Sequence, residues 1–163
     1  MIITKDRRGE LRIEMDIEKK SESCICEALI ELKSLQDFLV HSPTKYFGNL
    51  LAKIAGTDTI PFLLMTKDGF FSHTITVIHE DGEKECFESK YFRIESIDKE
   101  RCCAFLTVLR PLNFKGEHAD EHCQVIKLVK TSECIEIDLS CICAIQILDT
   151  ELLKRQIIIE PKW

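Results

Sequence analysis

The sequence predicts an α+β fold, with an N-terminal amphipathic helix packed on a mainly antiparallel β-sandwich. Three observations predict it. Apolar residues recur at helical spacing between residues 23 and 40, and short strand-like runs follow His41, separated by Asp-Gly and Lys-Gly turns. Residues 10–18 alternate strictly between apolar and polar. At 163 residues and 45% hydrophobic content, the chain is long enough to bury a core and too apolar to be disordered over most of its length. It divides into an N-terminal strand or hairpin arm, 1–20, and one domain, 21–163.

In the arm, Leu11, Ile13, Met15 and Ile17 share one face of a strand, and Arg12, Glu14, Asp16 and Glu18 share the other. Residues 2–4 can pair with it across a turn at 5–9, and 19–23 read as a polar linker. Ser21 or Ser23 caps a helix that runs to about residue 40. Ile25, Ala28, Leu32, Leu35 and Leu39 fall on one helical face, with Cys24 at its margin and Cys26 largely off it. Both cysteines lie near the helix N-terminus, where unpaired N–H groups favour thiolate. Strand runs follow at 61–65, 70–78, 91–97, 102–109, 123–130 and 134–148, with 156–160 as a last strand stopped by Pro161. Asp68-Gly69, Asp81-Gly82 and Lys115-Gly116 punctuate them.

Charge and targeting narrow the function classes. Twenty-two basic against 28 acidic residues give a formal charge of −6, which disfavours a nucleic-acid partner. The first twenty residues carry no apolar core and no small-residue cleavage site, so a secretory signal is not expected. No apolar run approaches the roughly 20 residues of a membrane helix, so no membrane partner is expected. Synthesis is then expected in a reducing cytoplasm, where lasting disulfides are rare, yet the chain has 9 cysteines.

Strand parity sorts some of these cysteines. In an unbroken strand, Cys141 and Cys143 fall with Ile135, Ile137, Leu139, Ile145 and Ile147, and so read as buried thiols. Cys134 falls with Glu136, Asp138, Ser140 and Gln146 and is accessible. A bulge or bend near Leu139 and Ser140 would instead turn Cys141 and Cys143 outward. Cys102 and Cys103 are adjacent and cannot bridge each other without strain. Because nine is odd, at least one thiol has no partner within the chain.

Two other chemistries have sequence candidates. His118, His122 and Cys123 form an H-x3-H-C cluster, to which the C-x-C pairs could add thiolates, giving a zinc-stabilised soluble binding module as the alternative reading. Structural zinc sites use C-x2-4-C knuckles, and no C-x-x-C occurs. The chain also lacks G-x-S-x-G, a P-loop, G-x-G-x-x-G and H-E-x-x-H, so no catalytic residue, metal or cofactor is assigned and the protein is not expected to be an enzyme.

Four segments carry a resemblance: TIPFLLM at 59–65, YFRIESI at 91–97, CCAFLTVLRP at 102–111 and CIEIDLSCICAIQIL at 134–148. With SCICEALIELKSLQ and SPTKYFGNLL in the same order, the chain resembles the CotY/CotZ/ExsY cysteine-rich spore coat proteins from about Cys24 to Leu153. The resemblance implies a structural protein made in the mother-cell cytoplasm and deposited on the spore surface, in outer coat, crust or exosporium. It implies a homo-oligomeric lattice, hexameric as one option, formed with itself and with other coat or exosporium proteins and hardened by intermolecular disulfides. On that reading the cross-linking candidates are Cys24, Cys26, Cys102, Cys103, Cys123 and Cys134. Two departures reduce the number of cross-linking positions. The family's two cysteines are missing from residues 42–46, and its cysteine after CAIQ is here Ile147.

Overall fold

A computed structural model of the chain describes residues 2–5, 11–14, 24–41, 46, 47, 50, 56–148 and 158–159. The expected helix cap at Ser21 or Ser23, the linker at 19–23, the second half of the leading strand and the segment 42–45 lie outside the described residues.

The described chain begins with β1 (Ile2–Lys5) and β2 (Leu11–Glu14), which pair antiparallel with Ile2 opposite Glu14. Helix α1 (Cys24–Val40) follows. The strands after it are β3 (Phe62–Thr66), β4 (Gly69–Phe70), β5 (His73–Ile78), β6 (Lys84–Ser89), β7 (Tyr91–Asp98), β8 (Cys103–Leu112), β9 (Lys127–Asp138), β10 (Ala144–Ile147) and β11 (Ile158–Ile159). One seven-stranded sheet runs β10-β3-β7-β8-β9-β11, with β4 paired to β3, and the β5–β6 hairpin stands apart from it.

The expected α+β fold with a β-sandwich is therefore corrected. The fold is mostly β, with a single helix and one large sheet curled into a half-barrel. Turn spacing announces how many strands there are but not whether they share one sheet. Here β7, β8 and β9 pair consecutively, and the register slips between Ile94 and Ser96 and again between Thr107 and Leu109. Each slip is a bulge that increases local twist and bends the strand, so the sheet wraps round its own inner face without a second sheet.

That face carries the main core. Phe62 and Leu64 of β3, Phe92 and Ile94 of β7, and Leu106 and Val108 of β8 are fully buried there. Ile75 and Phe87 of the hairpin and Cys26, Leu29 and Leu32 of α1 complete it. The alternate residues Leu63, Tyr91, Leu109 and Leu128 point the other way and form a smaller cluster with Ala119 and Val125 of the β8–β9 connection. Burial on both faces explains why β3 and β7 read as nearly continuous apolar runs.

The buried face of α1 is rotated from the expected one. It is Cys26, Leu29, Leu32 and Gln36, while Leu35 is 61% exposed. Gln36 explains the shift: its Nε2 donates to the Ile94 carbonyl at 2.8 Å, and its Oε1 accepts from the Ile60 N–H at 3.3 Å. A polar residue that satisfies two backbone groups takes a core position that an apolar count assigns elsewhere.

The expected strand at 134–148 is broken. β9 ends at Asp138, whose side chain accepts from the Ser140 N–H at 2.9 Å and opens a 3₁₀ turn, Leu139–Cys141. The strand resumes only at Ala144, as β10 against β3.

Candidate functional site

The candidate site is the set of nine thiols, and local backbone geometry decides which of them reach solvent. Cys24 opens α1 and is exposed, whereas Cys26, two residues on, is 6% exposed and sits in the main core. Burial, and then the neighbouring Cys102 thiol, push Cys26 up to about 11 from the ordinary 9.0. Cys26 is thus removed from the accessible candidates, because the rotated helix face takes it inward.

Cys102 ends the four-residue turn between β7 and β8 at a φ of 52°, a left-handed conformation uncommon outside glycine. The turn is tied by Asp98, whose carboxylate accepts from the Glu100 and Arg101 N–H groups and from Arg101 Nε. The Cys102 carbonyl accepts from the Leu139 N–H at 3.0 Å. That geometry leaves Cys102 half-buried against the main core and Cys103 half-buried at the start of β8. Partial burial raises the Cys103 thiol, with Arg101 opposing.

Cys123 is exposed in a 3₁₀ turn, His122–Gln124, with its thiol 3.4 Å from the Glu121 carboxylate. Cys134 is exposed on β9, opposite Thr107. It lines a cavity of about 480 Å³ together with Asp58, Arg93, Glu95 and Lys130. The walls of that cavity are ionic: Arg93 pairs with Glu95 at 2.5 Å, and Lys130 pairs with Asp58, both of these last nearly buried. Partial burial, then Glu95 and Glu133, raise the Cys134 thiol, so its reactive thiolate is disfavoured near neutral pH.

Cys141 and Cys143, expected to be buried, are exposed. The 3₁₀ turn after Asp138 breaks the alternation on which that expectation rested. Cys86 is a further exposed thiol, which the sequence reading left unassigned; it lies on β6, 3.4 Å from the Thr76 hydroxyl. The signal for it was present in the Asp81-Gly82 turn, which implies a returning strand, but residues 83–90 are so polar that they read as loop.

The zinc candidates are engaged elsewhere. His118 packs against the Phe87 ring at 5.2 Å and faces Asp120 at 3.8 Å. His122 Nδ1 is 2.7 Å from the Tyr91 hydroxyl, and burial, then Lys90, hold its imidazole below the ordinary 6.5. Among the described residues, no three His, Cys, Asp or Glu side chains gather to hold a metal ion.

The comparison with known families is decisive. The family "Spore coat protein Z" matches residues 13–150. The chain belongs to this family. Spore coat protein Z of Bacillus subtilis (strain 168) is 32% identical over 146 residues, 84% of this chain and 96% of that protein. No solved structure matches the chain. The resemblance to CotY/CotZ coat proteins is thereby shown, and with it a structural role at the spore surface in a family of coat proteins that is not a known enzyme family. Among the described residues, no helix is long and apolar enough to cross a membrane.

Proposed function

We propose that this protein is a self-assembling building block of the endospore's outer layers, forming an ordered lattice with itself and with other coat components that intermolecular disulfides then reinforce. The observation that supports this reading is the placement of six exposed thiols: Cys24, Cys86, Cys123, Cys134, Cys141 and Cys143. They lie on α1, β6, the β8–β9 connection, β9 and the β9–β10 connection, so bonds can leave one subunit from several places, as a covalent network requires.

Assembly begins without covalent bonds. Leu35 and Phe38, 61% and 53% exposed on the outer side of α1, offer an apolar contact. The edge strands of the sheet offer unpaired backbone groups. The arm, 1–20, is a separate unit from the domain, 21–163, and adds to a sheet edge in its own or a neighbouring subunit. Disulfides follow when the spore surface meets an oxidising environment, which reconciles a reducing site of synthesis with so many cysteines.

The test is a non-reducing gel of protein oxidised in air. A ladder of multimers that collapses to monomer with reductant is expected. Monomer alone, alongside assemblies that survive reductant unchanged, would remove cross-linking from the account. Deleting residues 1–20 is expected to weaken assembly more than folding, as read by sedimentation and by thermal unfolding.

A further inference from the structure

Two of the nine thiols meet inside the molecule. Cys26, in the first turns of α1, is buried in the main core, and Cys102, at the end of the β7–β8 turn, packs against that same core. The Cys102 side chain is the hydrogen-bond partner of Cys26. They are 76 positions apart in the chain (102 − 26), and no other pair of elements brings helix and sheet thiols together in this way among the described residues. The turn that carries Cys102 is fixed on both sides, by the Asp98 carboxylate and by the Leu139 N–H, so the half-buried thiol is held at the helix rather than displayed to solvent.

We propose that Cys26 and Cys102 form an internal disulfide that fastens α1 to the β7–β8 turn, and that these two residues are therefore not lattice cross-links. The oxidant is a low-molecular-weight disulfide of the oxidised-glutathione class. Cys102, the more accessible thiol, loses its proton and attacks one sulfur of the small disulfide, releasing one small thiol. Cys26 then loses its proton and attacks the Cys102 sulfur of the mixed disulfide, releasing the second small thiol. Two protein thiols and one small disulfide become one protein disulfide and two small thiols, so protons and electrons balance. Burial makes the pair slow to react, which suits a bond that closes after folding. Its inference rests on the packing of one chain and stands whether or not the protein builds a lattice.

The experiment uses the full chain with the seven other cysteines changed to serine, none of which is buried. After treatment with oxidised glutathione, the monomer is digested with trypsin without reduction. A joined peptide of residues 21–33 and 102–115 is expected, with no alkylatable thiol left on denaturation. The thermal midpoint is expected to rise on oxidation by about 5–10 °C, and the rise to vanish when Cys102→Ser is added. Cys26 still alkylatable in the oxidised, denatured monomer, or the joined peptide found only in dimers, would overturn the proposal. The same joined peptide sought in the monomer band of the unaltered chain gives the answer if the serine variant does not fold.

Discussion

Gln36 is the polar residue that seats the helix. It is 1% exposed and satisfies the Ile94 carbonyl and the Ile60 N–H, two backbone groups that have no water to turn to. Gln36→Ala is expected to lower stability by about 1–3 kcal/mol for each group left unsatisfied, measured by denaturant unfolding. Cys26 has a different signature, seen in pH. In the reduced protein its thiol holds its proton up to about 11, while the unfolded chain loses it near the ordinary 9.0. Between those values the folded state binds the extra proton, so this contribution is complete below pH 9.0 and is lost as pH rises to about 11. Unfolding curves across that window should show the decline, and Cys26→Ala should remove it. At this scale the sequence was legible only in part. Period 3.6 located the helix, but counting apolar residues placed Leu35 inside and Cys26 outside, because Gln36 gives no apolar signal.

The β5–β6 hairpin is attached to the sheet through one side chain. Arg110 of β8 pairs with Glu85 of β6 and lies 4.5 Å from the centre of the Phe87 ring. Glu85 also meets His79 at 3.1 Å, and the Arg110 guanidinium, with His79 assisting, holds its carboxyl below the usual range. Arg110→Ala is expected to cost about 1–3 kcal/mol and to raise amide exchange in Lys84–Ser89 before the rest of the sheet. Uniform exchange across β6 and β8 would show that the hairpin is held by other contacts. The elements themselves were partly visible in the sequence. β3, β7 and β8 begin within a residue of their apolar runs, because burial on both faces makes such runs continuous. β6 was hidden by its charges. The break after Asp138 was hidden because a 3₁₀ turn through Leu139 keeps an apolar residue in place while changing the parity of everything after it.

For the whole molecule, the difference between a sandwich and one curled sheet lies in two register slips that no local pattern announces. The family was nonetheless legible, since CC-x5-LRP and CIEIDLSC-x-CAIQ fall in β8 and at the β9–β10 junction, where the sheet's backbone is most constrained. The structure sorts the thiols by position: Cys26 and Cys102 face each other inside, while six are exposed on separate elements. That division of labour is the core of the proposed function, with one pair holding the subunit together and the exposed set joining subunits. Electron microscopy of the recombinant full chain at high concentration tests it most directly. The account predicts ordered sheets or stacks that resist dilution after oxidation and disperse when reductant is added. Dispersed single particles at every concentration, oxidised or reduced, would contradict it.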